Sequence, residues 1–415
     1  MLQYFLRRLL LTIPTFIGAT MIVFFIVQIA PGGPLEQQIM AIKAGSGAEG
    51  GGGSAADNAG SMIPQSALEQ LKRYYGFDKP VWVRYLIWLG LYPRETDSFD
   101  MTPNTARNVG EGKRVYVERS GNTVRVLDDD DRSKMAEGWE AELLPKNSLG
   151  EEKIRIFRSD FKGILNGYFG DSYTYREPVI DLITARMGIS LQFGLIGFII
   201  SYTVCVYLGI QKAIEHGSVF DLTSSILVFV AYSIPGWALG FMLLVLLGGG
   251  SFWDVLPLGG FQSANYPDLS FFEKILDRAK HAILPTIAYT ITSFATLTVL
   301  MKNSLLENLS QDYVRTAFAK GLSERRVIWV HGIRNSIIPI MANIGFVIGI
   351  FLTGSYFVER VFNINGIGLL SFEAVLSRDY PIVFAFTVIN VLILLIGSIL
   401  SDLALALVDP RIRFK

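Results

Sequence analysis

Cysteine occurs once, as Cys205, and histidine three times among 415 residues. Neither a disulfide framework nor a Cys/His metal cluster can be built from so few. Cys205 sits inside an apolar run and reads as a packing residue. Net charge is also missing: 37 Lys and Arg balance 37 Asp and Glu. No basic surface therefore argues for nucleic acid, and no acidic tail argues for disorder. The short signatures of phosphate and hydrolytic chemistry are absent too. There is no GxxxxGKS/T, HExxH or GxSxG, and no GxGxxG that opens a helix after a strand. The expectation is a chain that does not hydrolyse ATP by itself and carries no cofactor or metal.

Charged side chains make up 18% of the chain and hydrophobic ones 51%, an apolar excess that favours a membrane class. Six stretches carry no charged side chain and are long enough to cross a bilayer core of about 30 Å, which takes roughly 20 helical residues. They run from Leu9 to Leu35, Gly188 to Gln211, Leu222 to Trp253, Ala282 to Met301, Asn335 to Val358 and Tyr380 to Ser401. The third is the longest, with room to tilt or to end early at Gly248, Gly249 and Gly250. The first follows Arg7 and Arg8 but exceeds the roughly 7 to 15 apolar residues of a signal peptide, so an uncleaved helix is expected.

Cations in short loops mark the cytoplasmic side. Arg7 and Arg8 flank the first stretch, Arg411, Arg413 and Lys415 follow the last, and Lys302, Arg315, Lys320, Arg325, Arg326 and Arg334 surround the fourth loop. Both termini are thus expected in the cytoplasm, in agreement with an even number of spans. The expected organisation is an amino-terminal membrane helix over 1–35, an extracytoplasmic region over 36–187, and a five-helix core over 188–415. Within the external region, residues 44–60 have the Gly/Ser/Ala composition of a flexible linker. Farther on, Val115, Val117, Val124 and Val126 alternate around a Ser-Gly-Asn turn, which predicts a β-hairpin. Trp139 to Leu144 and Lys153 to Phe157 read as further strands of an insert over about 90–160. The acidic run Asp128 to Asp131 lacks the spacing, glycine and glutamate of a calcium loop and reads as a solvated turn.

The segment 304–334 is too long for a minimal turn and contains QDYVRTAFAKGLSERRVIWVHGIRN. Val314, Ala317, Phe318 and Leu322 recur at helical spacing, so a helix here would present a small apolar face. Gly321 would let that helix end, and Ser323 would open a second, whose Arg325 and Arg326 could pair with acidic groups on a soluble partner. The alternative from physics alone is a cationic loop lying on the membrane surface.

These residues resemble the cytoplasmic EAA loop of ABC importer permeases, in the peptide-permease form DYVRTAxAKGLSERRV followed by a His and an Arg-Asn pair, here His331, Arg334 and Asn335. Ala317 and Gly321 match directly. Arg315, Thr316 and Ala317 stand where the general motif has Glu-Ala-Ala, and Pro339 falls later than in that motif, departures that peptide permeases share. The resemblance extends through FLRRLLLTIPT, APGGP, YYGFDKPVWVRY, GYFGDS, HAILP, VERVFNINGIGLL, SRDYP and LVDPRIR. The insert and VLMKNSLLENL are similar to the branch that imports microcin C and oligopeptides. Family PGDP is PGGP here, with Gly33 in place of the acid, so no charge-based role is expected of that turn.

The resemblance implies an all-α polytopic protein with the type I ABC importer permease fold, six transmembrane helices and a small β-containing extracytoplasmic insert, in the bacterial cytoplasmic (inner) membrane. It implies a heterodimer with a second permease subunit, cytoplasmic ATP-binding subunits, an extracytoplasmic peptide-binding protein and a peptide substrate. The implied ATPase-docking residues are Asp312, Tyr313, Arg315, Ala317, Lys320, Gly321, Leu322, Glu324, Arg325 and Arg326. Pro235 and Pro285 would interrupt helical hydrogen bonding inside spans, as kinks or at a gate. Glu359, beside Arg360 at the end of the fifth stretch, is a further gate candidate, against the simpler reading that the two charges pair or face water. Gly236 with Gly240 and Gly345 with Gly349 have the spacing of close helix contacts, within the chain or with a second permease. Asp409, Pro410 and Arg411 would end the last helix. The rivals are a secondary transporter, which the uncharged spans disfavour, and a membrane-anchored receptor or enzyme acting through residues 90–160.

Overall fold

The computed structural model describes residues 2–29, 78–110, 113–121, 123–144, 152–250 and 252–408. The linker expected at 44–60, the APGGP turn and the helix end expected at Asp409, Pro410 and Arg411 lie outside the described residues. The chain divides into two compact units, one of Phe24–Gly170 and one of Met1–Val23 with Asp171–Lys415.

Helix α1 spans Leu2–Ile29 and runs through Pro14 without breaking. Its end belongs to the first unit, where Phe24 meets Tyr85 and Trp88 at ring distances of 5.4 and 5.5 Å. Those two lie on α2, Val81–Leu89. Gly90 ends α2 at φ +86°, a conformation that costs a residue with a Cβ about 1 kcal/mol or more.

Among the described residues six strands follow: β1 Arg94–Met101, β2 Ala106–Gly110, β3 Lys113–Ser120, β4 Thr123–Asp128, β5 Trp139–Leu143 and β6 Ile154–Asp160. They form two antiparallel sheets, ordered β1-β6-β5 and β2-β3-β4. The expected hairpin is β3–β4, with Val117 facing Val126 and Gly121 in the turn at φ +63°. Alternation works as the sequence suggests. Val115 and Val117, Val126, and Ile154 and Ile156 meet in one buried core with Met101 and Ala136. Arg155, between the two isoleucines, is buried as well and pairs with Glu95 across the sheet. The acidic run is a turn in which Asp128, Asp129 and Asp131 make local bonds through their carboxylates. Asp129 pairs with Arg114 and Arg132, and the Ser133 hydroxyl, bonded to Asp131 at 2.6 Å, helps hold that acid below its ordinary pKa.

In the second unit, α3 spans Val179–Ile214, α4 Val219–Ser233, α5 Gly236–Leu247 and α6 Phe271–Leu309. A helical hairpin follows, with α7 Asp312–Ala319, α8 Glu324–Arg326, a π-helical segment Val327–Gly332 and α9 Ile333–Ser336. The chain continues through α10 Ile338–Ala342, α11 Ile344–Thr353, α12 Tyr356–Val361, α13 Ile367–Leu376 and α14 Tyr380–Val408. Helices α3 and α6 are in close contact. A Cβ on Gly209 would come within 2.6 Å of Met301 Cβ and 2.8 Å of the Thr298 carbonyl oxygen. Phe193, Leu284, Ala288, Val358, Phe362 and Ile364 fill the core at one level. Ile210, Ala213, Met301, Leu305 and Ile340 fill it at another.

Among the described residues, three helices are long and apolar enough to cross a membrane: α1, α3 and α14. Three bent pairs would each make one more, giving up to six. The third apolar stretch is broken by 97° between α4 and α5, at Pro235, which has no N–H to continue the ladder. The fifth stretch is not one helix from Asn335 to Val358. It bends by 46° at Asn343 and stops at Gly354, whose φ of +78° only glycine adopts freely. At Asn343 the side-chain amide donates to the Pro339 carbonyl, 2.9 Å away. Pro285 lies inside α6, whose bend of 53° falls instead between Ile291 and Ser293.

Gly345 and Gly240 make close contacts within the chain. Gly345 abuts Gly397 of α14, and its N–H donates to Ser401 Oγ at 2.9 Å. Gly240 lies where a Cβ would come within 2.9 Å of Phe362 and 3.0 Å of Ala288. Arg8 of α1 pairs with Asp402 of α14 and donates to the Ser398 carbonyl at 2.9 Å.

Candidate docking hairpin and buried brace

The segment after α6 folds into a hairpin because its apolar residues find one another. Val314, Ala317 and Val327 are buried together, with Leu309 and Leu322 packed around them. The expected apolar face of α7 therefore turns inward, onto the returning chain, and Ala317 is part of that small core. Phe318 points outward instead, 46% exposed. Gly321 makes the turn at φ +76°, and a Cβ placed there would meet nothing within 4 Å, so backbone conformation and not space demands glycine. Leu322 N–H reaches back to the Ala317 carbonyl, closing the end of α7. Ser323 precedes α8 in an extended conformation, but its side chain makes no capping bond.

The outer face of the hairpin is cationic. Asp312, Tyr313, Arg315, Lys320, Glu324, Arg325 and Arg326 are all exposed. Asp312 and Arg315 form a solvent-facing pair at 3.7 Å, a contact of small energetic weight. Tyr313 donates to Asn308 Oδ1 at 2.9 Å. Arg325 and Arg326 have no salt-bridge partner among the described residues. With Ser323 and Trp329 they line an open depression of about 460 Å³. Trp329 and Val330 are half-exposed because the π-helical turn sends Val327 and Ile328 inward and the next two residues out.

The hairpin is rooted on α6. Ser304 Oγ donates to the Ser336 carbonyl at 2.9 Å, Ser336 Oγ lies 3.3 Å from the Ser304 carbonyl, and Leu305 and Leu309 sit against Gly332. The hairpin root and the end of α6 are thus bonded to each other.

Glu359 is neither exposed nor paired with Arg360. It is 0% exposed, while Arg360 faces outward. Its Oε1 accepts from Ser190 Oγ of α3 and Tyr289 OH of α6, each at 3.1 Å, and its Oε2 accepts from Leu369 N–H at 2.6 Å. Ser190 and Tyr289 are in turn anchored by main chain. Ser190 Oγ accepts from Ile367 N–H at 2.7 Å, and Tyr289 OH from Ser355 N–H at 2.8 Å. One carboxylate thus fastens the start of α13 and the end of the fifth stretch to α3 and α6. Beyond the other end of α13, buried Asp379 accepts from Ser172 Oγ at 2.5 Å and Thr174 N–H at 3.0 Å. Burial, reinforced by Glu373 at 3.3 Å, pushes the Tyr175 phenol above its ordinary pKa and keeps it a donor to that acid.

Sequence reading singled out Glu359 but missed Ser190, Tyr289 and Asp379. A lone Ser or Tyr in an apolar run carries no signal until the fold shows what it faces. Pro235 lies at the break of α4–α5, apart from the Glu359 bonds, and Pro285 donates nothing to them.

Sequence comparison adds the family. The profile of a family described as "Binding-protein-dependent transport system inner membrane component" matches residues 182–414. The chain is 35% identical over 433 residues to the inner membrane ABC transporter permease protein YejB of Escherichia coli O157:H7, covering 99% of both chains. It is 35% identical over 422 residues to the peptidoglycan transport system permease protein YejB of Agrobacterium fabrum, covering 99% of this chain and 98% of the other. It is 27% identical over 415 residues to the oligopeptide transport system permease protein AppB of Bacillus subtilis, covering 100% of both.

Proposed function

This chain belongs to the family of binding-protein-dependent transport system inner membrane components, and we propose that it is one of two permease subunits of an ATP-driven peptide importer. Peptide as cargo is supported by the oligopeptide and peptidoglycan systems to which its relatives are assigned by name. The partners in this reading are a second permease, cytoplasmic ATP-binding subunits and an external binding protein that delivers the substrate. Six crossings are supported if each bent pair counts as one span, and the cations near α1 and on the hairpin favour cytoplasmic termini in this reading. The β-strand region is then an extracytoplasmic insert.

The observation that carries the reading is the hairpin between α6 and α9. Its own apolar residues are spent internally, its exposed Arg325 and Arg326 beside Trp329 suit an acidic and aromatic cleft, and its root is bonded to α6. Closure of the ATPase subunits would push the hairpin and tilt the end of α6, exposing the path alternately to the two sides. Glu359 is a brace in this mechanism, holding α12 and α13 to α3 and α6 so that they move together. Pro235 allows the 97° break that such movement can use.

Gly321→Trp tests the docking surface. It puts a large side chain outside the hairpin in a conformation that costs about 1–2 kcal/mol. The expected outcome is normal membrane insertion with loss of most of the copurifying ATPase. In reconstituted vesicles the unaltered complex should transport with ATP after ionophores have collapsed all ion gradients. Unchanged ATPase copurification would refute the docking assignment, and gradient-dependent uptake would refute the ATP-driven mechanism.

A further inference from the structure

A further buried carboxylate lies away from the Glu359 brace, where α3, α4 and α6 meet. Asp221, in the first turn of α4, is 4% exposed. Lys302 of α6 donates to its two oxygens at 2.7 and 2.8 Å. Lys212 of α3 stands 3.3 Å from the same carboxylate. Gly217 N–H donates to Asp221 Oδ2 at 3.1 Å, and His216 Nδ1 lies 3.2 Å from it. Two lysines thus share one acid.

The two lysines are not equivalent. Lys212 is 1% exposed and has three further acceptors: the Asp221 carbonyl at 2.9 Å, Ser224 Oγ at 2.8 Å and Ser225 Oγ at 2.7 Å. Lys302 has no hydrogen-bond acceptor except Asp221 among the described residues, and its side chain is 15% exposed. If Lys302 withdrew, Asp221 would keep Lys212 and the Gly217 N–H, and the Lys302 ammonium could reach water on its flexible stem. If Asp221 were lost, Lys212, 1% exposed, would keep only neutral acceptors and have no counter-charge inside the fold. The arrangement permits one bond to open at low cost and forbids loss of the acid.

Lys302 also sits where release would matter. It lies on α6 just before Ser304, which bonds the hairpin root at Ser336. Asp221 begins α4, the first half of the span broken by 97°. We propose that Lys302–Asp221 is a releasable tie between the hairpin-bearing end of α6 and the start of α4, with Lys212 as the permanent counter-charge that lets it open during the transport cycle. The proposal rests on the reading of the hairpin as the ATPase-docking element. Lys302 and Asp221 act as positioning residues and do not touch the substrate.

The test uses the complete complex with its ATPase subunits and binding protein, carrying Lys302→Met, Lys302→Arg, Asp221→Asn, or a triple variant with Lys212→Met, Asp221→Asn and Lys302→Met. The Lys302→Met complex should assemble at wild-type yield, hydrolyse ATP several-fold faster without binding protein, and transport several-fold less per ATP. Lys302→Arg should restore both. Asp221→Asn should cut the yield of assembled complex about tenfold by leaving the buried Lys212 without a counter-charge, and the triple variant should recover it. Equal loss of yield in Lys302→Met and Asp221→Asn would make this an ordinary structural ion pair and overturn the proposal. So would wild-type coupling in Lys302→Met. The asymmetry in yield does not depend on docking, so a failed docking assignment, read from Gly321→Trp, remains distinguishable from a failed tie.

Discussion

Two buried carboxylates of the helical unit, Glu359 and Asp221, bridge the same pair of helices, α3 and α6, by opposite means. Glu359 is held by neutral donors, two hydroxyls and a backbone N–H, and has no ion-pair partner among the described residues. Asp221 is held chiefly by two lysines. Directional bonds from neutral donors fix a geometry and leave unsatisfied groups whenever any one is broken. An ion pair with a surplus cation tolerates departure of one partner. The first arrangement suits elements that move as one body, and the second suits a contact that opens and closes.

The largest expected effect, and the sharpest test of this contrast, comes from Glu359→Gln. The substitution keeps the size but turns one acceptor oxygen into an NH2 group. Either Leu369 N–H or the Ser190 and Tyr289 hydroxyls then face a donor. An unsatisfied buried donor costs about 1–3 kcal/mol. The purified complex should melt clearly lower, and it should do so even though Gln is nearly isosteric. A melting temperature equal to wild type would show that the carboxylate is not a brace.

Glycines separate the two sites at the next level. A Cβ on Gly366 would fall 2.5 Å from Glu359 Cδ and 2.6 Å from Ser190 Oγ. Both groups are locked, so Gly366→Ala should destabilise by about 1–3 kcal/mol through overpacking. Gly217, beside Asp221, has nothing within 4 Å of a Cβ and needs glycine only for its φ of +79°. Gly217→Ala should cost about 1 kcal/mol. Thermal melting of the two variants measures the difference. Equal shifts would remove the distinction between a packed brace and a looser tie.

Such distinctions were only partly legible in the sequence. The apolar stretches located the long helices because crossing a bilayer is a matter of composition and length. Breaks were harder. Pro235 announced the one between α4 and α5, but no such residue stands at the bend at Asn343, where the side-chain amide bonds the Pro339 carbonyl. Alternation found β3, β4, β5 and β6, whereas β1, RETDSFDM, is an edge strand with no period of two and was invisible until it paired with β6. The hairpin turn was readable from Gly321. The inward packing of Val314 and Ala317 was not, because their partner Val327 lies on the returning limb. Ser190, Tyr289 and Glu359 span most of the helical unit in sequence, so only folding shows that they meet.

The smallest expected effect concerns His216, the most exposed member of the Asp221 cluster, with its side chain 59% exposed. Its Nδ1 lies 3.2 Å from Asp221 Oδ2, close enough to count as a third cation were it protonated. If Lys212 is the permanent counter-charge, this contact is redundant, and solvent screens it. His216→Ala should therefore leave complex yield and basal ATPase activity unchanged and shift stability by no more than about 0.5 kcal/mol. A raised basal ATPase, like that expected of Lys302→Met, would instead make the histidine part of the tie. The count of charges that hold Asp221 when Lys302 leaves would then have to include it.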